Sequence, residues 1–302
     1  MTRAGVTRTQ RRRRPQTRVA VVGPGAIGAT MAAESRRAGA HVALFGRTPL
    51  ERIVVEREGG GEEIVPGPVV TDPQAVPWCA DVVLLAVKAH QTAAAAPFLR
   101  ALSGDGTVVV TLQNGVEQRA QVGPHAPGAA IVPAVVWFPA ERVAADRVLL
   151  RGDPRVTLPD EPAARTVAAV VPGIELVGDF ATHAWRKLAI NAVAGLMVLS
   201  GRRAAMFRRP DVLALARALA AECLGVARAE GADLPDAVAD ELAGEFAAMP
   251  QDLGSSILFD RVAGRSLEWD ARNGVVVRLG ARHGVPTPVS DVIVPLLAAA
   301  SG

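Results

Sequence analysis

The sequence predicts an α/β domain with a parallel sheet, followed by an all-helical domain. Three observations carry that prediction. The first is the run Val19-Ala-Val-Val22, Gly23-Pro-Gly25-Ala-Ile-Gly28, an Ala-rich stretch to Gly39, and Ala40-His-Val-Ala-Leu-Phe45. It reads as strand, tight turn, helix and strand, with Gly39 ending the helix. The second is a series of short apolar runs, buried on both faces, that continues to Val177. The third is a change near Thr182, after which only helical spacing remains.

The glycines of the first turn have separate tasks in a G-x-G-x-x-G pattern. Gly23 permits the turn, Gly25 lets a pyrophosphate approach the backbone, and Gly28 lets helix and strand pack closely. The diphosphate would rest on the exposed N–H groups of Ala26, Ile27 and Gly28 at the helix start. The context predicts a Rossmann domain that binds a dinucleotide. At the end of the second strand stands Phe45-Gly-Arg47-Thr48, with no carboxylate to hold ribose hydroxyls. Arg47 suits a 2′-phosphate, so the expected cofactor is NADP(H). The plain alternative is a solvated loop arginine.

Further along, Ile53-Val-Val-Glu56 and Glu63-Ile-Val-Pro66 flank Gly59-Gly-Gly61 and predict a surface hairpin. Asp81–Val87 is a buried strand with Lys88 and Gln91 beyond its carboxyl end, and a helix follows from Gln91 to Arg100. Thr107–Leu112 is the next strand, with Asn114 beyond it. Ligands of open parallel sheets bind outside such strand ends, so Lys88, Gln91 and Asn114 fall on the cofactor side. Ile131–Phe138, Arg147–Arg151, Val156–Leu158 and Ile174–Val177 are further strand candidates. Helices are expected over 184–199, 211–230, 235–248, 255–261, 268–283 and 289–300. The domains divide as a disordered leader, 1–17, a nucleotide-binding domain, 18–180, and a helical substrate domain, 181–302.

Composition narrows the function. Half of the 302 residues are hydrophobic and Tyr is absent, so the core must be mostly Ala, Val and Leu. The net charge is +3, and part of it lies in Arg11–Arg14, which argues against a nucleic-acid-binding face. No apolar run is long enough for a membrane span, and the leader lacks the apolar centre of a signal peptide. Cys79 and Cys223 form no redox or metal-ligand motif, which fits a reduced, cytoplasmic protein. Of 33 basic residues only Lys88 and Lys187 are lysine, and lysine can release a proton where arginine cannot. Lys187 and Asn191 share one face of an apolar helix, where burial would bring the ammonium toward the pKa of about 7–8 that suits a general acid. The bland alternative is a surface lysine with its stem on the core.

Taken together, these segments resemble the ketopantoate reductase (2-dehydropantoate 2-reductase) family. The likeness rests on Gly23–Gly28, Ala86-Val-Lys-Ala-His-Gln91, Leu112-Gln-Asn-Gly115, Trp185-Arg-Lys-Leu-Ala-Ile-Asn191, Gly254-Ser-Ser256 continuing to Glu268, and 273–288. It implies a helical domain like that of 6-phosphogluconate dehydrogenase and hydride transfer from NADPH to a 2-oxo acid, in pantothenate biosynthesis. By matching positions, Lys187 would be the general acid, Glu268 would hold a substrate hydroxyl, and Asn191 and Ser256 would orient the substrate. Asn114 would lie between substrate and cofactor, and Arg47, Lys88 and Gln91 would hold NADPH. A homodimer is compatible with this reading, which leaves oligomeric state open. One departure is Gly195, where the family often carries a second Asn, followed by Leu196 where Pro is common. The expected substrate is 2-dehydropantoate, reduced to pantoate; the missing amide at Gly195 would leave room, and it keeps another 2-oxo acid or an imine as the alternative substrate. A non-catalytic NADP(H) sensor is the alternative of a different class, but it has no use for Lys187, Asn191 and Glu268 together.

Overall fold

A computed structural model describes residues 16–301. The expected leader therefore falls, up to residue 15, outside the described residues. Thr17 already belongs to the fold, because its carbonyl accepts from the His41 N–H.

The α/β half is built on a six-stranded sheet. Its strands lie in the order Val69–Val70, His41–Phe45, Arg18–Val22, Val82–Leu85, Val108–Thr111 and Ala130–Pro133. Every neighbouring pair is parallel. Chain order reverses between Arg18–Val22 and Val82–Leu85, where Val22 pairs with Leu85. That reversal opens a crevice at the carboxyl ends, directly beside Gly23.

The helix Ala26–Arg37 packs on this sheet through Ala29, Ala32 and Ala33. Small residues let the two backbones approach, and Gly28 sets the limit. A Cβ there would meet the Gly23 carbonyl oxygen at 2.4 Å and the Ala86 Cβ at 3.0 Å. Gly23 has φ +87°, and a Cβ on it would strike Val87 at 2.6 Å. Gly25 has open space around its missing Cβ. Gly23 and Gly28 thus require glycine for two different reasons, a positive φ and a close contact, as the sequence predicts.

Two expectations need correction. The hairpin Arg52–Arg57 with Glu62–Pro66 forms, but it is no isolated surface feature. Arg147–Leu150 adds in parallel to Arg52–Arg57, and Ala140–Ala144 extends the sheet to four strands. Ile53, Val55 and Val65 are buried in the same cluster as the first helix. The apolar inner face of the hairpin covers that helix, which explains its alternation. The run from Ile131 to Phe138 is also divided. Ala130–Pro133 ends the large sheet, while Val135–Val136 joins Val156–Pro159 and Ile174–Val177 in a third sheet.

The helical half surrounds the helix Phe180–Ser200. Asp179 caps it by accepting from the Thr182 N–H at 3.1 Å, and Gly201 ends it in the left-handed conformation. Leu188, Val193 and Met197 are buried among Pro210–Ala229, Ser256–Val262 and Pro288–Ala300. Segment 268–283 departs from a plain helix. It passes through a π-helical turn at Asp270–Gly274 before continuing as Val275–His283.

The contrast between glycines is measurable by chemical denaturation. Gly28→Ala should lose about 1–3 kcal/mol by overpacking against backbone. Gly25→Ala should stay within about 0.5 kcal/mol of wild type, as surface changes usually do. Equal stability of Gly28→Ala and wild type would overturn the close-packing account.

Candidate active site

The site forms where the strand ends of the α/β half meet the helical half. Gly25 caps the first helix without a side-chain hydrogen bond. The first bond of that helix runs from Ala29 N–H to the Gly25 carbonyl. The N–H groups of Ala26, Ile27 and Gly28 precede it and point out of the turn. With the open space at Gly25, they form a cradle that fits the diphosphate of a dinucleotide. Arg47 stands exposed two residues past the strand His41–Phe45.

Across the crevice, Glu268 joins the halves. Its Oε1 accepts from the Ala89 N–H at 3.0 Å and its Oε2 from Asn114 Nδ2 at 3.0 Å. Asn114 Oδ1 then accepts from Asn191 Nδ2 at 3.2 Å. A carboxylate only accepts, so it fixes which end of Asn114 faces it and therefore which end of Asn191 follows. Glu268 and Asn191 are each 8% exposed, so this chain of hydrogen bonds is shielded from water. Asn114, Asn191 and Glu268 thus come together as the sequence reading expects.

Lys187 lies one turn before Asn191 on the same helix. It lines a narrow cleft with Asn114, Asn191 and Val136. Its Nζ stands 5.0 Å from the centre of the Trp137 ring. Burial, aided by the nearby Arg272 charge, brings its pKa from 10.5 down to about 8. Trp137 offers the ammonium an attractive π face without neutralising it. The Trp137 indole is itself held, donating to Thr157 Oγ1 at 2.9 Å.

The two lysines therefore differ. Lys88 Nζ donates to Asp260 Oδ2 at 2.5 Å, and Arg265 Nε to the other oxygen at 2.8 Å. Lys88 ties the strand end to the helix Ser256–Val262, which the cofactor role expected of it does not account for. Gln91 is turned back on its own segment, where its Oε1 accepts from the Lys88 N–H at 3.4 Å. Ser256 is exposed, and its Oγ accepts from Arg272 Nη2 at 3.0 Å.

Trp137, Asp260 and Arg272 were given no role from sequence. Arg272 had one usable signal, its position four residues after Glu268 on a helical segment. Trp137 had none, because it reaches Lys187 from a loop between two sheets. The room expected at Gly195 is not there. A Cβ would lie 3.2 Å from both Asn273 Oδ1 and Leu297 Cδ1, and the Asn273 amide donates to the Ala192 carbonyl at 3.1 Å. Asn273, from the π-helical turn, fills that side of the helix.

Comparison with known proteins gives the family. Two family models match, ketopantoate reductase PanE/ApbA over residues 19–162 and its C-terminal counterpart over residues 179–301. A 2-dehydropantoate 2-reductase of Mycobacterium tuberculosis is 53% identical over 289 residues, covering 94% of this chain and 98% of the relative. Another from Caulobacter vibrioides is 39% identical, covering 94% and 99%. Among solved structures, a dimeric ketopantoate reductase from Staphylococcus aureus superposes with a TM-score of 0.85 at 27% identity, covering 94% and 98%. A ketopantoate reductase family protein of Ralstonia eutropha gives 0.85 at 29% identity, again covering 94% and 98%.

Proposed function

The chain belongs to the ketopantoate reductase family, and on that premise we propose that it reduces 2-dehydropantoate to pantoate with NADPH, in pantothenate biosynthesis in the cytoplasm. The observation that carries the reading is the shared helical face of Lys187 and Asn191, joined through Asn114 and Glu268 to the strand ends beside the glycine turn.

The cofactor, when bound, supplies the hydride that reduces the ketone. The backbone of Gly23, Gly25, Ala26, Ile27 and Gly28 would hold its diphosphate, and Arg47 would pair with its 2′-phosphate. Lys88 and Gln91 are the further candidates for cofactor contact. Lys88 would have to exchange its Asp260 partner for a phosphate to take that part.

Lys187 donates a proton to the carbonyl oxygen as charge develops there. An ammonium with a pKa near 8 is protonated at neutral pH yet gives up its proton readily. The Trp137 ring keeps that ammonium inside the cleft without a carboxylate to trap its proton. Asn191 retains a second amide hydrogen and a carbonyl oxygen with which to orient the substrate. Glu268 has lone pairs beyond those used by Ala89 and Asn114, and accepts a substrate hydroxyl with them. Ser256 donates its hydroxyl hydrogen to the substrate while its oxygen stays bonded to Arg272. A homodimer belongs to this reading as well, with Val292 and Leu296 of the last helix 65% and 53% exposed.

Two outcomes test the assignment. Lys187→Ala should lower kcat by about 10²- to 10⁴-fold while NADPH binding is retained, as removal of a general acid does. In the wild type, kcat/KM for reduction should fall as pH rises through about 8, because only the protonated lysine donates. An unchanged kcat in Lys187→Ala, or a flat profile between pH 7 and 9, would sink the general-acid role. Separately, Arg47→Ala should weaken NADPH by about tenfold and NADH far less, measured by fluorescence titration. Equal weakening of both cofactors rules out the 2′-phosphate contact.

A further inference from the structure

Arg272 is a buried cation whose hydrogen bonding is incomplete. Only 3% of it is exposed. It comes from the π-helical turn, and one nitrogen, Nη2, donates to Ser256 Oγ at 3.0 Å. The nearest carboxylate oxygen, Glu268 Oε2, lies 3.8 Å from that same nitrogen, beyond hydrogen-bond reach. Glu268 is already engaged by Ala89 and Asn114. The Nε of Arg272 is buried and has no partner at all. A guanidinium cannot escape this by losing its proton, even though burial lowers its pKa. Something that accepts hydrogen bonds and carries negative charge would complete it.

The surrounding charges point to the sign of that ligand. Asp260 is shared by Lys88 and Arg265. Lys187 has no carboxylate contact among the described residues, and the Arg272 charge reaches it. The four cations Lys88, Arg265, Lys187 and Arg272 outnumber the two carboxylates Asp260 and Glu268, and Lys187 meets only the like charge of Arg272. The seam therefore carries an excess of positive charge, which favours an anionic ligand such as an acid. Planar guanidinium groups bind planar carboxylates through paired N–H donors, and Ser256 beside Arg272 adds a hydroxyl.

We propose that Arg272 binds the carboxylate of the 2-oxo acid and makes the site selective for the acid over its neutral forms. The proposal rests on the function set out above and assigns one group of that substrate to one side chain. Arg272 holds the carboxylate end, Ser256 shares it, and Lys187 serves the ketone oxygen. Binding of the acid satisfies the buried guanidinium, so affinity for the anion comes from a cation the fold leaves without a full set of partners.

The test compares 2-dehydropantoate with its methyl ester in wild type, Arg272→Met and Arg272→Lys, each checked by circular dichroism. Arg272→Met should raise KM for the acid by roughly 10- to 100-fold, with the ester changed less than about threefold and NADPH affinity unchanged, given the usual worth of a charged hydrogen bond. Arg272→Lys should fall between, because it restores charge without the fork. Equal losses for acid and ester, or an unchanged KM for the acid, overturn the assignment and leave Arg272 as a brace for Ser256. If Arg272→Met does not fold, a crystal structure of the wild type with a 2-oxo acid analogue gives the answer. A carboxylate oxygen in hydrogen-bond contact with Arg272 supports the proposal, and a carboxylate held elsewhere refutes it. Failure of the wild type to reduce acid or ester with NADPH would instead count against the functional reading, and the crystal contact still judges Arg272 by itself.

Discussion

The Glu268 carboxylate holds the molecule's two halves in working register. It receives a backbone N–H from the segment after one central strand and a side-chain amide from the segment after the next. Because it lies 8% exposed, these bonds are made away from competing water. Asn114 hands the arrangement on to Asn191, and Lys187 stands one turn away. The polar geometry of the cleft therefore depends on one acceptor at the start of the helical segment 268–283. Removing that charge would leave two amide donors unpaired and Arg272 without its nearest carboxylate.

The contrast between the two lysines shows how a fold assigns different work to the same side chain. Lys88 meets a carboxylate and is held as a bridge between domains. Lys187 meets an aromatic face and a second cation, and its pKa falls to about 8. Desolvation and like charge both act against the ammonium, while the ring attracts it without accepting its proton. A group treated in this way is suited to proton transfer and poorly suited to a structural ion pair.

The helix that bears Lys187 and Asn191 also explains the glycine within it. At Gly195 the side chain of Asn273 and Leu297 pack against bare backbone. The amide of Asn273 bonds to the Ala192 carbonyl, so polarity at that level is supplied from another helix. The absence of an asparagine on the helix itself leaves no hollow. The alternative substrate that rested on a hollow loses its ground, while 2-dehydropantoate, the expected substrate, agrees with the 2-dehydropantoate 2-reductases that this chain resembles over 94% of its length.

The glycine turn, the parallel strands and the helical half were legible in the residues, because each rests on local needs. A positive φ at Gly23 and a clash-limited contact at Gly28 restrict residue type wherever such a turn occurs. Lys187 and Asn191 were legible for a similar reason, since four-residue spacing puts them on one face. The folding of the hairpin into a four-stranded sheet was not, because its partner strand Arg147–Leu150 arrives from ninety or so positions away. Nor were the partners of Glu268, which lie 179 and 154 residues back along the chain. Trp137 and Arg272 belong to the same class, as a ring on a loop and a cation on a π-helical turn. Residue pattern governs backbone conformation and which faces are apolar. Which charges end up sharing one dry seam follows only from packing the halves together, and that packing gives the lysine its acidity and leaves the arginine in need of an anion.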